Sequence, residues 1–125
     1  MLTGARIGTC DIKRAIGFYD ALAEVLGAAR VVDRHGLAGW RGANGVLFMV
    51  GIPRDGEASF GNGSQMMFEA PSRAAVDAAH ARALECGGTC EGAPGPRGEA
   101  EMQLYAAYFR DPDGNKVMVL RWGGD

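Results

Sequence analysis

The chain has 125 residues, with 13 basic and 15 acidic side chains, a net charge of −2 and a hydrophobic fraction of 47%. That length suits one domain, or a fused pair of half-size units, with a core of its own. There is no basic stripe to recruit nucleic acid, no like-charge block typical of a disordered tail, and no apolar run near the roughly 20 residues of a membrane helix.

The N-terminus lacks a basic region followed by a long apolar run, so no signal peptide is expected. The odd count of three cysteines, Cys10, Cys86 and Cys90, reads as free thiols in a reducing cytoplasm. Residues Arg6 to Thr9 read as a short strand, and Asp11 then offers a helix N-cap. From it Ile12, Ala15, Ile16, Tyr19, Leu22, Ala23 and Leu26 recur at the spacing of one helix face, and Gly27 is the expected stop. Gly17 weakens that helix by about 1 kcal/mol relative to alanine. Strands are expected at Ala29–Arg34, Ala38–Arg41 and Val46–Ile52, separated by the turns His35-Gly36 and Gly42–Gly45. "PRDGEASFGNG", Pro53 to Gly63, reads as a connecting arm.

The pattern then restarts. Gln65–Glu69 reads as a strand, and Ser72 caps a second helix whose stripe is Val76, Ala79, His80, Ala83 and Leu84, ended by Gly87-Gly88. Thr89–Glu91 reads as a short strand. Ala93–Gln103 reads as a long loop, with a lid and an ordinary surface loop both left open. Leu104–Arg110 and Lys116–Leu120 close the chain as a hairpin around "DPDGN". Pro112 presets the turn, while Asp113, Gly114 and Asn115 tolerate left-handed backbone, so Asp111 and Asp113 read as turn-builders rather than an acid–base pair. "CGGTC", Cys86 to Cys90, is not a CxxC pair and has no two further ligands nearby; a helix-end and a strand cysteine are expected.

The two helix starts, Asp11 and Ser72, mark a repeat of pattern: strand, helix, three strands, twice. The fold class expected is α+β, two βαβββ modules making a cupped, mostly antiparallel sheet with helices on its outer face. Module 1 covers about 1–53, an arm 54–63, and module 2 about 64–125 of a single domain.

Three segments carry a family resemblance: "DIKRAIGFYDALAEVLG" with its Phe18-Tyr19 pair, "GNGSQMMFEAPSRAAVDAAHARALECGG", and "AAYFRDPDGNKVMVL". In this order and spacing the chain resembles the vicinal-oxygen-chelate superfamily of glyoxalase I, bleomycin-resistance proteins and extradiol dioxygenases. The resemblance implies a concave sheet face where metal-using members place two ligands per module, usually His, Glu or Gln. Those positions fall here on Gly4, near Phe48, on Gln65 and on Met118. One neutral amide is far short of a divalent-metal donor set, so no metal and no cofactor is expected.

The cup then reads as an apolar pocket with Gln65 as its polar handle. Met118, Phe48 and Met67 are expected in its wall, with Trp40, Arg6 and Tyr105 or Tyr108 adding stacking surface and polarity; the parity of the tyrosines is left open. His80 reads as packed against the outer face and His35 as a turn residue; His35 and Glu69 are the remaining general-base candidates. The function expected is a metal-free, glyoxalase-like binder of a small, partly apolar organic molecule, a homodimer with no nucleic-acid or membrane partner. The alternatives are a lyase, isomerase or dioxygenase relative using Gln65, Glu69 and His35 on a non-standard metal, or a vestigial dimerisation domain.

Overall fold

The computed structural model describes residues 1–125. Module 1 comprises β1 (Gly4–Gly8), α1 (Ile12–Leu26), β2 (Ala29–Arg34), β3 (Leu37–Arg41) and β4 (Leu47–Gly51). Module 2 repeats the order with β5 (Met66–Glu69), α2 (Arg73–Glu85), β6 (Thr89–Arg97), β7 (Leu104–Arg110) and β8 (Lys116–Trp122). Each module forms its own four-stranded sheet, ordered β1-β4-β3-β2 and β5-β8-β7-β6. The helical crossover makes β1 parallel to β4 and β5 parallel to β8, and the hairpins make the other pairs antiparallel. The α+β class and the two βαβββ modules stand as expected; the single cup resolves into two sheets, with no ladder joining β1 to β5.

Both helices begin and end where their residues dictate. The Asp11 carboxylate accepts from the Arg14 amide, and Gly27 ends α1 at φ 76°. The Ser72 hydroxyl accepts from the Ala75 amide to start α2. The α1 stripe is wider than the spacing suggested: Phe18 is buried alongside Ala15, Tyr19, Leu22 and Ala23. Leu84, expected on the α2 stripe, is 39% exposed, because α2 ends one residue later and turns away at Cys86.

One core crosses both modules. Tyr19 from α1 meets Trp40, Phe48 and Phe68 at ring-centroid distances of 5.6, 4.9 and 6.4 Å, and Phe48 meets Phe68 at 4.9 Å. Such aromatic pairs contribute about 0.5–1.5 kcal/mol each beyond the area they bury. The apolar face of module 1 is therefore completed by module 2.

The β7–β8 turn fastens the modules together. Asp111 accepts from the amides of Asp113 and Asn115 within the turn, and also from the Tyr19 hydroxyl at 2.7 Å. Asp113 accepts from the Thr9 hydroxyl at 2.6 Å, the Cys10 amide at 2.9 Å and Arg14 at 3.0 Å. Asn115 donates to the Gly8 carbonyl at 2.9 Å. Asp111 has the turn-building role expected of both aspartates, whereas the Asp113 carboxylate bonds nothing in its own turn and instead joins that turn to module 1.

The segment after α2 departs from expectation. β6 is one nine-residue strand through Pro94 and Pro96, and a 3-10 turn at Ala100–Met102 follows, so the lid reading of Ala93–Gln103 does not hold for most of that segment. Two prolines and two glycines masked the strand. It tolerates them because β6 is an outer edge strand, irregular in register at Gly92 and Gly95.

Candidate functional site

Each strand sends alternate side chains to a helix-covered face and to an open face. On β1 and β4 the helix face carries Ala5, Ile7, Phe48 and Val50, and the open face carries Arg6, Leu47 and Met49. On β8 the helix face carries Val117 and Val119, and the open face carries Met118 and Leu120 with Ala106 and Tyr108 of β7.

This alternation sorts the seven predicted residues. Gln65, Met67, Met118 and Arg6 stand on the open face. Gln65 Nε2 lies 3.9 Å from Met118 Sδ, Met67 pairs with Met118 in register, and Arg6 donates to the Ile52 carbonyl at 3.1 Å. Phe48, Trp40 and Tyr105 do not. Phe48 and Trp40 stack on each other at 5.9 Å beneath α1, and Trp40 Nε1 donates to Asp20 at 2.9 Å. "LFMV" is apolar on both faces, so hydrophobicity could not reveal its parity. Tyr105 reaches α2, where its hydroxyl donates to Asp77 at 2.6 Å; Tyr108 is the open-face tyrosine, flanked by Lys116 and Arg97 at 5.5 and 5.7 Å from its ring.

The open faces do not close into a deep cup. The larger cavity, about 580 Å³, is a crevice at the seam between the modules. One wall is α1 with Trp40 and Phe48; the other is β5 and the residues after it, ending at Ala70 and Pro71. Gln65, Met67 and Glu69 carry the crevice through the seam to the open face, and Arg121 stands at its edge. Four of the seven predicted residues thus line one cavity. Tyr19, Leu22 and Arg121 join them and were not anticipated, since their apolar spacing or terminal position carried no site signal.

The crevice follows from a difference between the two modules. The β7–β8 turn is docked on module 1 by Asp113 and Asn115. The equivalent β3–β4 turn, Gly42–Gly45, has no such pair: its Asn44 side chain accepts from the Val46 amide of its own turn. The turn therefore lines the crevice instead of closing it.

A second, smaller cleft of about 240 Å³ lies at the other end of the seam. It takes in Arg6, Gln65, Lys116 and Asn115 under the arm residues Ser59 to Gly61.

Two titrating groups bear on this seam. Burial, followed by the neighbouring Asp111 carboxylate, pushes the Tyr19 hydroxyl well above the ordinary phenol range. Burial pushes the Asp113 carboxyl up, but hydrogen bonds from Thr9 and the Cys10 amide, with the charge of Arg14, outweigh it and hold the group below its ordinary value. His80 is buried on α2 as expected, against Phe109, with Nε2 3.3 Å from Cys90 Sγ; burial lowers its pKa against the opposing pull of Asp77. His35 is exposed on the β2–β3 turn at φ 29° and lines neither cleft.

The donor set does not fit the metal that the fold's metal-using members hold. At the first position, Gly4 packs so closely that an added Cβ would stand 2.5 Å from the Leu47 carbonyl oxygen. The open-face residues of β4 are Leu47 and Met49 rather than Phe48, which leaves that position equally without an oxygen or imidazole. Gln65 and Met118 supply one amide and one thioether, a poor set for a hard cation. No three His, Cys, Asp or Glu side chains gather elsewhere in the chain.

Paired βαβββ modules, each with one sheet face under a helix and the other open, define a class of proteins built by internal repetition. A family model of the Glyoxalase/Bleomycin resistance protein/Dioxygenase superfamily matches residues 3–119, and the chain belongs to that superfamily. A glyoxalase/bleomycin resistance protein from Albidiferax ferrireducens T118 is 38% identical, with a TM-score of 0.89 over 97% of this chain and 98% of that one. A glyoxalase/bleomycin resistance protein/dioxygenase family enzyme from Burkholderia phytofirmans PsJN shares the fold at 18% identity, with a TM-score of 0.73 over 95% and 96% of the two chains. So does a glyoxalase-related enzyme from Fulvimarina pelagi, at 16% identity and a TM-score of 0.75 over 97% and 87%. No curated protein matches the chain.

Proposed function

We propose that this chain binds a small, partly apolar organic molecule in the seam crevice, without a metal. The observation that carries the reading is the crevice itself: about 580 Å³, walled by Trp40, Phe48, Leu22 and Phe68, with Gln65 among its few polar groups. That volume lies within the range of small-molecule sites, and an apolar lining with a few polar groups is their usual make-up. The sequence placed the molecule in an open cup; the enclosed space favours the seam.

The metal-free part rests on the donors at the family's positions, of which only Gln65 offers an oxygen. A thermal-shift screen of a metabolite library tests binding. In Gln65→Ala the affinity for any hit falls about tenfold, as for a lost hydrogen bond in an apolar site, while the melting temperature is unchanged. Metal analysis of the purified protein tests the rest: a stoichiometric divalent ion overturns the metal-free reading and favours a non-standard metalloenzyme.

The proposal includes a homodimer in the cytoplasm. Free Cys10, Cys86 and Cys90 support the compartment, and the exposed Met67 on an open apolar face supports self-association. Light scattering at twice 13.1 kDa is the expected result.

A further inference from the structure

We infer that the molecule taken by the crevice is an apolar carboxylate held by Arg121; this rests on the crevice being the ligand site. Arg121 is the only cationic residue lining that space. It follows Leu120 on β8 and pairs in register with Tyr105, which places it on the helix face. It belongs to none of the chain's ion pairs, and its Nε is buried without a hydrogen-bond partner. Arg121 is half-buried, and the Nε–H shut off from water without an acceptor is left with an uncompensated desolvation cost.

No carboxylate of the chain pairs with Arg121. Arg73, whose Nε is likewise buried and unpartnered, lies over the Tyr105 ring at 5.3 Å. Asp77 is engaged by the Tyr105 hydroxyl at 2.6 Å, and Asp125 accepts from the Arg73 amide at 3.3 Å. Glu69 lines the crevice from the open face of β5, where it is exposed to solvent.

The remaining wall is apolar and partly aromatic, with Trp40 and Phe48 stacked at 5.9 Å. A carboxylate matches the guanidinium fork in shape and charge, and an apolar body matches the wall. The polar groups of the crevice thus select the head of the ligand, and its bulk selects the tail.

Isothermal titration with 1-naphthylacetate and its neutral isostere 1-naphthylacetamide tests the inference. The carboxylate binds once per chain and about tenfold more tightly than the amide, as expected for a charge-assisted hydrogen bond. Arg121→Gln removes that preference while the amide's affinity stays as it was. Equal binding of the two probes, a preference that survives Arg121→Gln, or no binding of either overturns the inference. Ala28→Trp fills the crevice and abolishes binding of both probes; Ala43→Trp, at an exposed position of the same lining, serves if the first variant fails to fold. Binding that survives both fillings overturns the crevice as the site, whereas loss of the charge preference alone overturns only the carboxylate.

Discussion

Asp113 is 7% exposed and keeps its charge by accepting from Thr9, Cys10 and Arg14, so the turn it sits in is held by groups more than 95 residues away in sequence. Its lowered pKa sets the sign of a pH effect. The stabilisation is complete above 3.8, its ordinary value, and is lost as pH falls through the lower folded value. Asp113→Asn therefore costs about 1–2 kcal/mol at neutral pH, and the gap to the parent closes in strong acid. Urea titrations across pH measure it; a gap that does not narrow contradicts the assignment. The motif "DPDGN" announced the turn, because Pro and Gly chemistry is local, but not its docking, because Thr9 and Gly8 give no hint of a distant partner. Gly4 is similar. The sequence marked it as a missing ligand, and the contact with the Leu47 carbonyl adds that a side chain there requires the backbone to move.

Glycines divide the elements into those that tolerate a side chain and those that do not. Gly17 lies in α1 with nothing within 4 Å of an added Cβ, so Gly17→Ala stabilises the protein by about 0.5–1 kcal/mol through helix propensity and unfolded-state entropy. Gly88 follows α2, and there a Cβ would stand 2.8 Å from the carbonyl oxygens of both Ala83 and Arg110. Gly88→Ala lowers stability by more than Gly17→Ala raises it. Thermal melts of the two variants check both signs, and a stabilised Gly88→Ala refutes the packing argument. The helices were legible from periodicity and caps to within a residue or two. β6 was not, since Pro94 and Pro96 read as loop unless the strand is known to be an edge. The helix-facing side chains of β4 were not either, because both of its faces are apolar and only α1 decides which is covered.

At the level of the whole molecule, the single core makes the modules one folding unit. Tyr19 reaches Asp111 and Phe68, and Phe18 reaches Phe109 at 6.0 Å, so neither module buries its apolar face alone. Urea unfolding is accordingly one transition, with far-UV circular dichroism and tryptophan fluorescence coincident; Trp40 in module 1 and Trp122 in module 2 report separately if they are not. Two resolved transitions would show the modules to be independent. The outermost strands have a different consequence. β2 carries Arg30, Asp33 and Arg34, and β6 carries two prolines that have no amide hydrogen to offer. Both are poor templates for strand addition by a neighbouring molecule. These two edges are therefore guarded against growing sideways into continuous intermolecular sheets at high concentration.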